Sequence, residues 1–318
     1  TLAITTAATP KTPGAPVPTL NATSGEVTVP AGTPAGPYTI AYTLCEKLNP
    51  TNCDPATITI NVAAPLIDAK DDIYTGVNGA TGNSNVGNVV TGVGSTTPAT
   101  ALDTINGVAT TIAATNLTVT VPAASVAGAP AGAPIPVLDT ATGNLVVPPG
   151  TPAGVYNITY KLCEKLNPLN CDTAVAKVTV DPSPIIASPD VFSNIVAGTT
   201  PNPVGNALTN DKVNGQPATL GTNGNATIGP ITPATPIGGG PVPTLDPLTG
   251  AVTVPPSTPA GAYTITYTLC EKLNPSNCAS TQITVNVNAP TIVAGNDTMP
   301  ATNGATGGTP VVNALSND

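Results

Sequence analysis

YTIAYTLCEKLNPTNCDPATITINV, residues 38–62, is the stretch whose reading decides the fold. Tyr38, Ile40, Tyr42 and Leu44 alternate with Thr39, Ala41, Thr43 and Cys45, the period of two of a strand with one face buried. After a loop holding Asn49-Pro50, Ala56, Ile58, Ile60 and Val62 alternate with Thr57 and Thr59 in the same way. The stretch therefore predicts a long antiparallel hairpin whose apolar stripe faces a core.

The hairpin recurs. Segments Pro16 to Cys53, Pro134 to Cys171 and Pro241 to Cys278 align over 38 residues without a gap, the first and third agreeing at 28 positions and the second and third at 26. They start 118 and then 107 residues apart, the size of an independent domain rather than of a solenoid repeat. The matching stripes are Tyr156, Ile158, Tyr160, Leu162 and Tyr263, Ile265, Tyr267, Leu269. Upstream of each, as in VPTLNATSGEVTVP at Val17 to Pro30, a shorter hairpin is expected, with Gly25, Gly143 and Gly250 where a turn needs positive φ. TPAG at Thr33 to Gly36 then turns the chain into the tyrosine-rich strand. Linkers are legible as AAP at Ala63 to Pro65, DPSP at Asp181 to Pro184 and NAP at Asn288 to Pro290. The expected organisation is the second part of a repeat in 1–64, complete repeats in 65–184 and 185–290, and the opening of another in 291–318. Such a layout reads as a window of a longer array. The alternative is a filament subunit whose partial ends complete each other between copies by strand donation.

Composition agrees with an all-β class. The chain has 38 Pro, 31 Gly, one Phe, no Trp and only 8% charged residues, so strong helix formers are scarce. The Pro and Gly fall between alternating apolar runs and so act as turns. Short strands, regular turns and a Tyr opening the penultimate strand resemble an immunoglobulin-like sandwich, and tandem copies predict an extended array. A β-barrel of similar strand number is the alternative. The net charge of -9, with no Arg and no His, leaves no basic groove for nucleic acid. No apolar run reaches the roughly 18 residues of a membrane span, and residues from Thr1 onward do not read as a signal peptide.

The six cysteines form three Cys-x7-Cys pairs, Cys45 and Cys53, Cys163 and Cys171, Cys270 and Cys278, each on the outward parity of adjacent strands. Short-range disulfides follow, and with them an oxidising compartment. The spacing and the lack of His argue against a metal knuckle. Glu46-Lys47, Glu164-Lys165 and Glu271-Lys272 hold three of the four Glu in the chain, which admits either a ligand-contacting loop or a solvated cap on the hairpin. Asp71, Asp72, Asp190 and Asp211 sit near the openings of repeats, where oxygen ligands could bind Ca2+, ordinary turn polarity being the alternative; no other cofactor is expected. With no His, committed cysteines and no phosphate-binding Gly motif, an enzyme is not expected.

YTITYTLCEKLNPSNCASTQITVNV at Tyr263 to Val287, preceded by TPAG, resembles repeats of giant cell-surface adhesins of the Bacteroidota, the gliding-motility adhesins among them. DAKDDIYTGVNG, from Asp68 on, resembles cadherin-like bacterial repeats. The resemblance implies a secreted protein at the cell surface, exported by the type IX route, and forming a long stalk that grips substrata. Its implied partners are neighbouring repeats, a surface polysaccharide or substratum, and the secretion and motility machinery. Asp-Thr-apolar triplets at Thr104, Thr140, Thr173 and Thr298 look like the O-glycosylation motif of that phylum.

Overall fold

The computed structural model describes residues 1–96, 102–113, 115–121, 132–198, 200–298, 301–308 and 313–315, and among them every regular element is a strand. The chain divides into two units, Thr1–Ser183 and Pro184–Asp318. Each contains one complete set of sheets built on the same plan.

In residues 65–183 the long hairpin pairs Gly154–Glu164 with Cys171–Asp181, from Gly154 opposite Val180 to Cys163 opposite Cys171. Thr115–Val121 flanks the first of these antiparallel, while Asp72–Asn78 flanks the second in parallel, giving a four-stranded sheet. A second sheet orders Val137–Leu138, Asn144–Val147 and Asn83–Asn88. Residues 185–290 repeat this with Ala226–Thr232, Gly261–Glu271, Cys278–Asn288 and the parallel strand Asp190–Val196, opposed by Thr244–Leu245, Ala251–Val254 and Asn202–Asn206. The tandem immunoglobulin-like sandwich expected from the hairpins is thus what forms. The parallel opening strand was not legible, because its pairing joins residues about a hundred positions apart.

Each core lies between its two sheets. Tyr156, Ile158, Tyr160 and Leu162 meet Val178, Leu145 and Val147 in one; Tyr263, Ile265, Tyr267 and Leu269 meet Val285, Val252 and Val254 in the other. The tyrosine that opens each long strand fastens the turn before it: the hydroxyls of Tyr38, Tyr156 and Tyr263 each donate to the carbonyl of Pro34, Pro152 and Pro259 at 2.8 Å. Gly25, Gly143 and Gly250 hold φ between 75° and 78°, as the shorter hairpin requires. A different glycine serves packing, since a Cβ on Gly87 would overlap the Tyr74 ring and one on Gly205 the Phe192 ring. Tyr74, outside the stripes read from the sequence, is fully buried at 0% exposure: its aromatic ring belongs to the parallel strand.

Residues 1–64 hold the same long hairpin, Gly36–Cys45 with Cys53–Val62, flanked by Leu2–Thr6, and a short hairpin of Thr19–Leu20 with Val27–Thr28. Their core is reduced to Ala8, Leu20, Tyr38 and Ile40. In the stretch after Asn288, the described residues form no strand, and Ile292 and Val293 are 90% and 68% exposed.

Candidate functional site: the pole of the cystine loop

The long hairpin ends in the most repeated sequence of the chain, CEKLNPxNC. Cross-strand register brings each cysteine pair face to face, and Cys45–Cys53, Cys163–Cys171 and Cys270–Cys278 are bonded. Outward parity does not leave all of them exposed: Cys163 and Cys270 are buried, covered by the neighbouring strand and loop.

The recurring Glu closes the loop from within. Asn52, Asn170 and Asn277 donate from Nδ2 to Oε2 of Glu46, Glu164 and Glu271 at 3.2, 3.3 and 2.8 Å. Glu271 is 2% exposed, so in that repeat the carboxylate is an internal brace. The Lys beside it is spent too, Lys272 Nζ donating to the carbonyls of Gly221 and Thr222 at 2.8 and 2.5 Å.

At the same pole the opening segment of the second repeat is fastened almost residue by residue. The Pro65 carbonyl accepts from Asn170 Nδ2 at 2.7 Å, Leu66 N donates to Asn106 Oδ1 at 2.8 Å, and Asn106 N returns a bond to the Leu66 carbonyl at 2.8 Å. Ala69 N donates to Asp172 Oδ2 at 2.9 Å, Lys70 N to Asp103 Oδ1 at 2.7 Å, and Ile73 N to Ser95 Oγ at 3.0 Å. Side chains thus satisfy backbone groups just before and at the start of Asp72–Asn78. In residues 185–290, Asn214 N donates to the Pro184 carbonyl at 2.8 Å and Ser188 N to Asp211 Oδ1 at 2.7 Å. Pro184 has no N–H, so the bond that Leu66 N donates to Asn106 Oδ1 has no counterpart there.

Beneath this segment lies a buried cluster of acids and tyrosine that sequence reading found only in part. Asp72 and Asp103 are both fully buried. The Tyr160 hydroxyl lies 2.8 Å from the Lys70 carbonyl, 3.4 Å from Asp103 Oδ2 and 3.5 Å from Asp72 Oδ2, yet it has one proton to give. Burial, reinforced by the charge of Asp103, pushes Asp72 up to about 7, and burial likewise pushes Asp103 up to about 7. The second complete repeat rebuilds the cluster: Tyr267 donates to Asp211 Oδ2 at 2.7 Å, and burial with the Asp211 charge pushes Asp190 up to about 6. Asp103 was legible only as part of an Asp-Thr-Ile triplet; its kinship with Asp211 emerges from the shared Tyr and opening-segment partners.

Of the Ca2+ candidates, Asp72, Asp190 and Asp211 therefore lie in these buried clusters. Asp71 is exposed and accepts from Val175 N at 2.8 Å. Among the described residues no three Asp, Glu or Cys side chains converge as a cation's ligands. Of the glycosylation candidates, Thr140 is exposed on a turn that Asp139 caps through Ala141 N and Thr142 Oγ1. Thr173 and Thr298 are also exposed, and Thr104 is half-buried in a short strand; Met299, which completes the last triplet, lies outside the described residues. One open cleft is lined by Asn206, Leu208, Ala218, Leu248 and Thr249, and another by Thr6, Pro10, Lys11 and Tyr38, with Lys11 Nζ 5.4 Å above the Tyr38 ring. No helix among the described residues is long and apolar enough to cross a membrane.

No family model matches the chain, and no curated protein matches it. Among solved structures, protocadherin gamma B7 extracellular cadherin domains 1–4 align at 11% identity and a TM-score of 0.32, covering 91% of this chain and 66% of that one. Protocadherin gamma B2 domains 3–6 align at 9% and 0.29, covering 81% and 61%, and mouse cadherin-23 EC22–24 at 14% and 0.27, covering 87% and 83%. The chain thus spans about three fifths of the protocadherin gamma B2 structure.

Proposed function

We propose that this chain is part of the stalk of a long, secreted cell-surface adhesin, in which tandem sandwich repeats carry attachment to a surface and serve gliding motility. One observation carries the reading. The polar residues that recur are turned inward: the cystine and the Glu–Asn brace close the tip of each long hairpin, and the Asp–Tyr cluster fastens the opening segment of each complete repeat. Conserving shape in this way suits a spacer that bears load and needs no reaction chemistry. Cystine bonding supports an oxidising, extracellular setting. Export by the type IX route and coupling to a motility motor rest on the resemblance of the YTITYTLCEKLNPSNC motif.

The test is a chromosomal deletion of residues 65–290 in the source cells. We expect the shortened protein still to reach the surface while attachment under flow and surface spreading fall; undiminished attachment would refute the stalk reading. A second reading, a filament joined by strand donation, draws on the outer edge of Cys53–Val62. Among the described residues no parallel strand covers that edge, whereas Cys171–Asp181 and Cys278–Asn288 each carry one. Negative-stain images of the purified chain separate the two: regular polymers support the filament, single particles the stalk.

A further inference from the structure

The cystine loop has one side chain that neither the brace nor the cluster explains. Leu48 stands 93% exposed, whereas its counterparts Leu273 and Leu166 in the later copies are half-buried, and it is Leu166 that meets residues 1–64. Its Cδ1 lies 3.6 Å from where a Cβ on Gly32 would stand, beside the ring of Pro16. Gly32 belongs to the turn that precedes the tyrosine strand in residues 1–64 and holds φ +80°, a left-handed conformation in which a glycine leaves a bare, shallow notch. Gly150, at φ +82° beside Pro134, repeats the notch in the second copy. Next to Leu166, Asn170 clamps the Pro65 carbonyl and Asn106 clamps both backbone groups of Leu66. Between that clamp and the last paired residue of the preceding hairpin, Val62, lie only Ala63, Ala64 and the anchored Pro65.

We propose that the CEKLNPLNC loop of the second repeat is a docking surface for the Gly-turn pole of another repeat, with Leu166 as the knob and Asn170 as the linker clamp. Residues 1–64 and 65–183 then move as one body, and the loop is an interaction surface between repeats. A contact of this kind is heterologous, pole to opposite pole, and so adds up along an array without closing on itself. Leu48 presents the same knob, and the partner it fits is a Gly32-type turn of a second copy of the repeat. The inference stands whatever the stalk binds.

The experiment is 15N relaxation on the full 318-residue chain. In the parent, the strands of residues 1–64 and of 65–183 should share one rotational correlation time. Leu166→Ser, alone and with Asn170→Ala, should abolish that common value and give residues 1–64 a shorter one, while Leu48→Ser leaves the parent behaviour intact. Unshifted amide resonances in Gly154–Glu164 show that the repeat is still folded. Two unequal correlation times already present in the parent, or a common value that survives Leu166→Ser with Asn170→Ala, would overturn the proposal.

Discussion

Residues 1–64 and residues 185–290 carry nearly the same hairpin and bury it very differently. Leu269 is 0% exposed and its counterpart Leu44 is 56% exposed; Tyr267 is fully buried, while Tyr42 is only half-buried. Strand pairing is not the cause, because Cys45 opposes Cys53 just as Cys270 opposes Cys278. What differs is the cover. Asp190–Val196 lies parallel to the return strand of the complete repeat, and Asn202–Asn206 extends its second sheet. Among the described residues neither has a counterpart against Cys53–Val62 or Val27–Thr28. The hairpin therefore sets its own register locally, but its burial depends on strands supplied from elsewhere in the sequence.

Paired substitutions break or sharpen this comparison. Leu269→Ala empties a sealed core and should cost about 3 kcal/mol, read by amide exchange across Gly261–Glu271. Leu44→Ala should stay within about 0.5 kcal/mol, and equal costs at the two sites would show that residues 1–64 bury the hairpin as fully as a complete repeat. Reducing Cys270–Cys278 releases a short loop and should lower stability by about 2.5 kcal/mol on the chain-entropy model. Its measure is the urea midpoint with and without reductant.

A third contrast concerns pH. Asp72 and Asp103 titrate near 7 in the folded repeat but near the ordinary carboxylate value when unfolded, so between about pH 4 and 7 the native state holds the extra protons. Stability of residues 65–183 should accordingly fall as pH rises through that window, by several kcal/mol, and Asp72→Asn should remove about half of the fall. The hairpin of residues 1–64, which lacks the acid cluster, is the reference that stays flat in the same exchange experiment. A modest effect, equal in the two regions, is expected at the corner tyrosines. Tyr263→Phe and Tyr38→Phe each delete one hydroxyl-to-carbonyl bond and should each cost about 1 kcal/mol, alike in both regions because the bond spans only four residues.

Much of this architecture could be read in advance from residues with local partners. Alternation in YNITYKLC and YTITYTLC marked the stripes that are buried in the complete repeats, Gly25 and its counterparts marked the short hairpins, and Tyr38 announced the corner. Tyr74 and Asp103 could not be placed that way. Tyr74 is buried by a parallel strand pairing with residues near Val178, and Asp103 acquires meaning only beside Tyr160 and the Lys70 amide. The recurring Glu suggested either recognition or solvation, and the geometry shows a third use, bracing an Asn six residues on.

By itself, then, the sequence determined the all-β class, the long hairpins, their register and the facing cysteines, because these depend on a period of two and on turns a few residues long. Tertiary structure alone decided which copies of that hairpin are sealed, which acids lose their water, and which of the equivalent loop leucines are covered while Leu48 stays exposed. Those outcomes depend on chain segments brought together from far apart, and burial is a property of what covers a residue as well as of the residue itself.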